Sequence, residues 1–436
     1  MRLAVLLASQ RPVNIALLGA GTVGAEVGRV LIEKQDVYAR QLGRPLNLMA
    51  VVVRDTSKPR KGIDSALLTT DAVKLLDEAK LDIVVELLGV EFPALDWIQM
   101  ALRNGKHVVT ANKEVMAKHG PQLLALAREN GVDLLFEASV GGGIPIIAPL
   151  KRDLLANDIS AVSAIINGTT NYILTAMARE GADFGDALKR AQELGYAEPD
   201  PANDIEGEDA RYKLSILASL AFRTFLPRDD IYREGITRLT ARDFRYAAEL
   251  GYAIKLLALA SRVDGGIQAR VHPVFLPVDA PLAKVDGVLN AVQVEGDLIG
   301  RVNFQGPGAG FPTTSSVIAD VLDAAQTVIG GRRASHATED APAHVVPMAA
   351  LITRYYIRLT VSDKPGVLAS IARILGDARI SIASVIQKEV HEASNTAELV
   401  IMTHEAREAS VQDALKAVQD LPEVQEIGNF IRVEEQ

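Results

Sequence analysis

The stretch from Asn203 to Ala218 opens in turn residues and acids, then becomes an apolar-periodic run at Leu214, Leu217, Ala218 and Ala221. That order predicts a helix with carboxylates in its first turn, where the positive end of the helix dipole tolerates them. Asp209 and Lys213 stand four apart and share a helix face, with Lys213 where the polar end meets the apolar run. An ammonium entering an apolar site beside a carboxylate can hold a proton and release it on demand. In isolation an Asp-x-x-x-Lys pair is an exposed ion pair of little consequence. Its company gives this one weight.

That company begins with Gly19-Ala20-Gly21-Thr22-Val23-Gly24, a glycine fingerprint following an apolar strand and opening a helix. The first glycine makes the tight turn, the second admits a pyrophosphate, and the third lets helix pack on strand, so a dinucleotide is expected. Thr22 and Val23 begin the helix whose amides would meet the phosphate. The second strand ends in Arg54, with Asp55 next and Lys58 nearby. Two cations there suit a 2′-phosphate and favour NADP, while Asp55 keeps NAD use open. His107 to Lys113 carries Thr110 to a strand end and places Lys113 in the following turn, the edge where α/β sites form. Lys113 reads either as a solvated loop charge or as a group polarising a carbonyl oxygen. Glu137 to Pro145 offers one carboxylate and a run of main-chain carbonyls, which suits an oxygen-preferring cation or a hinge.

These residues need a framework. A chain of 436 residues is too long for one ordinary core. Net charge is -9, with acids and bases interspersed, which gives no nucleic-acid surface. No apolar run is long enough to span a bilayer. There is no Cys, which excludes disulfides and thiol nucleophiles and fits a reducing, cytoplasmic setting. Met1 to Gln10 looks faintly like a signal peptide but reads as an N-terminal extension. The seven His have no zinc-ligand spacing.

Strands are expected at Val13–Leu18, Leu46–Val53, Leu81–Leu87, Val108–Thr110 and Asp133–Phe136, with helices from the glycine turn to about Lys34 and around Ala72–Ala79, Pro93–Asn104 and Pro121–Asn130. This alternation predicts an α/β, Rossmann-type doubly wound parallel sheet over 1–148, completed by about 312–330. An α+β substrate domain is expected over 149–311, with helices near Asn171–Arg179, Phe184–Leu194 and Glu208–Phe222, and two or three strands between Ala253 and Phe304. The polar run Gly330–Val345 predicts a linker, within 331–352. From 353 to 436 the order βαββαβ predicts a small ferredoxin-like sandwich.

Six motifs, in order, resemble homoserine dehydrogenase: Gly-Ala-Gly-Thr-Val-Gly at 19–24, Thr-Ala-Asn-Lys at 110–113, Glu-Ala-Ser-Val-Gly-Gly-Gly-Ile-Pro at 137–145, Asn-Gly-Thr-Thr-Asn-Tyr at 167–172, Leu-Gly-Tyr-Ala-Glu-Pro-Asp-Pro at 194–201 and Asp-Ile-Glu-Gly-Glu-Asp-Ala-Arg-Tyr-Lys-Leu at 204–214. Asp363-Lys364-Pro365-Gly366-Val367-Leu368 is similar to the turn of an ACT regulatory domain. The resemblance implies interconversion of L-homoserine and L-aspartate 4-semialdehyde on the threonine and methionine routes. It implies Lys213 as proton donor, Lys113 as a second essential lysine, and Glu198 and Asp209 as ligands of the substrate's amino and hydroxyl ends. It also implies dinucleotide contacts at Gly195 and Gly310, and sodium held by Glu137 with the carbonyls of Val140, Gly142 and Ile144. By the same analogy an effector, threonine first, binds the Asp363–Gly366 turn between paired units, so a homo-oligomer (dimer or tetramer) is expected. Phe311-Pro312 after the glycine turn and the extra N-terminal residues depart from the pattern without touching a motif residue. Two other readings stay open, a related amino-acid semialdehyde dehydrogenase and a non-catalytic dinucleotide or amino-acid sensor.

Overall fold

Six consecutive apolar residues have nowhere to go but inward on both faces, and Val13–Leu18 is buried throughout. In the computed structural model, which describes residues 11–331, 339–391 and 395–435, that strand lies inside a six-stranded sheet. The order is Leu68–Thr69, Leu46–Val52, Val13–Leu18, Ile83–Glu86, His107–Thr110, Leu134–Leu135, all parallel. Strand order reverses beside Val13–Leu18, which puts a crevice at the carboxyl ends of the central strands. The chain forms two compact units. One runs to Val162 and takes in Tyr212–Arg228 and Asn290–Ala343; the other holds Ser163–Arg211, Asp229–Leu289 and the chain from His344.

The first unit's core joins Ile15, Leu17, Val85 and Val109 of the sheet to Val317, Val321 and Ala325 of helix Phe311–Gly330. Each fully buried Val, Leu or Ile contributes roughly 1.5–3 kcal/mol. Two expectations shift here. The helix expected from Pro121 begins at Lys113 instead, because the Asn112 side chain accepts the Val115 N–H at 3.1 Å and caps it eight residues earlier. Pro121 therefore lies inside that helix, and Lys113 is its first residue rather than a turn residue. A second helix, Gln35–Leu42, follows the first directly and stops at Gly43, whose φ is 71°.

The second unit is built on the antiparallel hairpin Tyr252–Val263 and Gly266–Pro277. Beyond the hairpin, strands Leu289–Gly296 and Gly300–Pro307, which fall almost wholly in the first unit, bring the number between 252 and 307 to four, not two or three. Helix Ala241–Glu249 was not expected from the sequence; Asp243 at its third position accepts from both the N–H and hydroxyl of Thr240.

The C-terminal segment forms the expected βαββαβ sheet, ordered Val424–Val433, Ile352–Ser362, Thr396–Thr403, Ile382–His391. Alternation along Ile352–Ser362 sends Tyr355, Ile357 and Leu359 to the core under helices Val367–Asp377 and Glu408–Gln419. Val274 and Phe275 pair in parallel with Arg432 and Val433, so this sheet continues the hairpin. Part of the stretch expected as linker is ordered: Glu339–Pro342 pairs with Thr224–Phe225 in the first unit. Residues 332–338 and the signal-like Met1 to Gln10 lie outside the described residues.

Candidate active site

The glycine fingerprint has the geometry its chemistry asks for. Gly19 adopts φ 98°, and a Cβ there would come within 2.9 Å of the Leu87 carbonyl oxygen. A Cβ at Gly24 would collide with the Gly19 carbonyl oxygen, whereas at Gly21 it would meet nothing. Helix Thr22–Glu33 starts at Gly21 with no side chain capping it, and Thr22 is exposed and Val23 half-buried at its start. Open amides on a helix N-terminus, reached over a bare glycine, make a phosphate cradle. Beyond the next strand Arg54 and Lys58 are both exposed. Asp55 is otherwise engaged: its carboxylate accepts the Ser57 N–H at 3.0 Å and hydroxyl at 2.6 Å, which holds it below the usual carboxylate range.

The neighbouring strand end carries a residue that sequence reasoning passed over. Glu86 is fully buried. Its carboxylate accepts the Leu88 N–H at 2.7 Å and the Thr110 hydroxyl at 2.5 Å, and burial pushes its pKa up. Thr110 in turn accepts the Asn112 N–H at 3.0 Å, and Asn112 caps the helix that Lys113 begins. The Thr110 hydroxyl is thus committed within the protein and acts by fixing the turn that presents Lys113. A carboxylate within an otherwise apolar strand (Ile83–Glu86) was the available signal.

Lys113 and Lys213 are half-buried residues of the first unit, carried by helices Lys113–Asn130 and Glu208–Phe222. Glu114 and Tyr212, each the immediate neighbour of one lysine, bridge those helices: the Tyr212 hydroxyl donates to Glu114 at 3.4 Å and accepts from Arg228 Nη1 at 2.6 Å. Lys118 adds ion pairs to Glu91 and Glu114 and sits 5.9 Å from the Tyr212 ring centroid. Burial alone would depress its ammonium, but these carboxylates hold it above the usual lysine range.

The Glu137 loop is packed rather than slack. Its carboxylate accepts amides from Ile146 (2.6 Å), Ile147 (2.8 Å) and Ala148 (2.7 Å), around the start of helix Ile147–Lys151. The Glu137 N–H donates to buried Asp320 at 2.8 Å. A Cβ at Gly142 would collide with the Gly308 backbone, and the Gly142 carbonyl accepts the Ser316 hydroxyl at 2.7 Å. Val140 and Ile144 are buried, while Gly310 is exposed at φ 77° at the start of helix Phe311–Gly330. The Glu137 carboxylate thus accepts three amides, which fixes the loop and leaves its main-chain carbonyls as the oxygen donors suited to a cation.

In the second unit the remaining motifs meet at Asn167. Its amide donates to Asp204 (2.7 Å) and to Asp209 (2.8 Å), and its carbonyl oxygen caps helix Gly168–Glu180 through the Thr170 N–H at 2.8 Å. Asp209 is buried. Thr169 donates to the Tyr196 carbonyl at 2.7 Å, and the Tyr172 and Tyr196 rings stand 5.0 Å apart, which ties the 194–201 motif to the 167–172 motif. Gly195 has φ 75°, and Glu198 is exposed. Asn167 and Asp204 are thus the organising pair of this cluster, although neither had been given a role. Helix Glu208–Phe222 runs from one unit into the other and carries both Asp209 and Lys213.

Comparison with known proteins agrees with this geometry. Residues 19–137 match the family model for the homoserine dehydrogenase NAD binding domain, 145–322 that for homoserine dehydrogenase, and 355–423 that for the ACT domain. The chain is 42% identical to homoserine dehydrogenase of Neisseria gonorrhoeae, over 97% of this chain and 99% of that one. It is 43% identical to the Corynebacterium glutamicum enzyme, over 97% and 96%. A crystal structure of homoserine dehydrogenase from Thiobacillus denitrificans superposes with TM-score 0.92 at 43% identity, covering 97% of this chain and 98% of that one. A hyperthermophilic archaeal homoserine dehydrogenase in complex with NADPH gives 0.63 at 31% identity, covering 74% of this chain and 100% of that one. A phosphate cradle, two lysine-bearing helices held together, an acid cluster ordered by Asn167 and full-length similarity converge: the chain belongs to the homoserine dehydrogenase family of nicotinamide-dependent oxidoreductases and ends in an ACT domain.

Proposed function

We propose that this chain interconverts L-homoserine and L-aspartate 4-semialdehyde, with Lys213 moving the proton. The observation carrying this reading is the Glu114–Tyr212 bridge, which fixes the helices bearing Lys113 and Lys213 to one another. Bound reduced nicotinamide would supply the hydride to the aldehyde carbon. The Lys213 ammonium gives its proton to the emerging alkoxide and takes it back in the oxidative direction. Lys113 polarises the same oxygen. Asp209 and Glu198 hold the substrate's hydroxyl and ammonium ends. Oxidation of the semialdehyde through a thiohemiacetal is closed to a chain without Cys.

NADP is the preferred dinucleotide on this reading. Arg54 and Lys58 are exposed where a 2′-phosphate would lie, while Asp55 is turned toward Ser57 and pairs with Lys58 at 3.8 Å instead of meeting a ribose hydroxyl. A sodium ion would be held by main-chain carbonyls of the Glu137–Ile144 loop in a structural role. Threonine is the proposed effector at Asp363–Gly366, in a cytoplasmic homo-oligomer serving threonine and methionine synthesis. Among the described residues, no helix is long and apolar enough to cross a membrane.

The decisive measurement is the initial rate of homoserine-dependent NADP⁺ reduction, with NAD⁺ in parallel and threonine titrated to millimolar levels. A rate with NADP⁺ above that with NAD⁺, lowered by threonine, is expected. No reduction of either dinucleotide would overturn the catalytic reading, and insensitivity to threonine would overturn the effector assignment alone.

A further inference from the structure

The C-terminal sheet contains an irregularity that neither catalysis nor packing uses. Arg358 pairs with Asn429 while Leu359 pairs with Ile427, leaving Gly428 as the extra residue of a β-bulge. Bulges bend a strand and recur beside functional sites. A side chain at position 428 would press on the Arg358 guanidinium, so glycine is what lets the arginine lie there.

The bulge opens on a cleft of about 500 Å³ in the second unit, within the size range of small-molecule sites. Its wall carries Arg238, Arg242 and Arg358, together with Asp183 and Glu426. Arg358 is pinned by Asp243 (2.8 Å) and Glu398 (3.1 Å), and its side chain is only 6% exposed. The other two arginines reach solvent. Arg238 is exposed, and Arg242 keeps 49% of its side chain accessible while touching Glu398 at 3.4 Å. Thr240 and Ala241, where helix Ala241–Glu249 starts, also line the cleft, so the positive end of a helix dipole adds to the guanidiniums. Asp183 and Glu426 are exposed carboxylates on the same wall.

Cationic forks beside a helix start bind a carboxylate. Two carboxylates on the same wall add what an anion alone does not need, which is a place for an ammonium. We propose that this cleft binds a free α-amino acid, its carboxylate held by Arg238 and Arg242 and its ammonium by Asp183 and Glu426. The position is distinct from the Asp363–Gly366 turn, and the proposal stands whether or not that turn binds an effector. Asp243 connects the cleft to both sides: it belongs to helix Ala241–Glu249 and also accepts from Tyr356, Arg358 and Asn429 of the C-terminal sheet.

The test is calorimetric titration of the full chain with L-threonine, L-alanine and L-glutamate, and separately with inorganic phosphate. Binding of at least one amino acid is expected. The double variant Arg238→Gln with Arg242→Gln should weaken it tenfold or more. Asp183→Asn with Glu426→Gln should weaken the amino acid but not phosphate, and Asp363→Ala should leave the cleft's affinity unchanged. Asp183, Arg238, Arg242 and Glu426 are exposed, so the variants at these four positions should fold and keep the basal rate of homoserine oxidation. In the Asp363→Ala background, where the turn no longer contributes, amino-acid binding undiminished by the arginine pair overturns the assignment, as does binding lost with Asp363→Ala alone. Phosphate binding without amino-acid binding shows a simple anion site and overturns it equally.

Discussion

The central strands of the first unit's parallel sheet and the root of the C-terminal sheet are both buried, but they are held by different forces. Around Val13–Leu18 the packed cluster is almost purely aliphatic, and buried acids such as Glu86 and Asp320 lie at its margins. Where the C-terminal sheet meets helix Ala241–Glu249 and the hairpin, the interior is ionic. Arg358 lies between Asp243 and Glu398; Arg432, 2% exposed, lies between Glu408 and Glu234 at 2.6 Å each. Burial is non-directional and suits a scaffold whose function sits in backbone amides at its edge. A buried charge needs its partner in one geometry, so an ionic seam fixes registry more than it adds stability. One region is a platform and the other a junction with a single allowed fit.

The largest effect expected from breaking that contrast is catalytic. Lys213→Ala should lower kcat by about 10²–10⁴-fold with dinucleotide binding retained, because the platform that binds the cofactor does not depend on the lysine. Near-normal turnover would remove Lys213 from the mechanism. The junction should respond in stability instead. Asp243→Ala strands the Arg358 guanidinium and should cost about 3–5 kcal/mol in thermal or denaturant unfolding. If Asp243→Ala unfolds at the wild-type temperature, the ionic seam is ornamental.

A third effect sharpens the comparison from inside the first unit, at the buried acid Asp320. Burial pushes the Asp320 carboxyl up to about 8 from an ordinary 3.8. Between those values the folded protein keeps a proton that the unfolded chain has lost, so stability falls as pH rises from about 4 to about 8 and is level beyond. Asp320→Asn keeps an oxygen for the Glu137 N–H and should flatten that decline. An unchanged slope of melting temperature against pH would acquit Asp320.

Much of this was legible beforehand. The central strands, the glycine turn and the βαββαβ order rest on apolar runs and local turn chemistry, which are properties of neighbouring residues. Less was legible where a distant or unexpected partner decides the outcome. Lys113 reads as a turn residue because it follows the strand end at Thr110, but the Asn112 cap begins the helix at Lys113 itself. Glu137 reads in the sequence as one carboxylate in a glycine-rich loop, and only the fold gives that carboxylate three amides nine to eleven residues on.

The order of residues by itself determined the dinucleotide cradle, the helix carrying Asp209 and Lys213, and the absence of any thiol chemistry. Each depends only on residue type and short spacing. Tertiary structure alone decided that Asn167 gathers Asp204 and Asp209, that Tyr212 reaches Glu114, and that Arg358 and Arg432 are buried between acids. Those contacts join residues tens to hundreds of positions apart, and a polar side chain shows its partner only once folding has removed the water that would otherwise satisfy it.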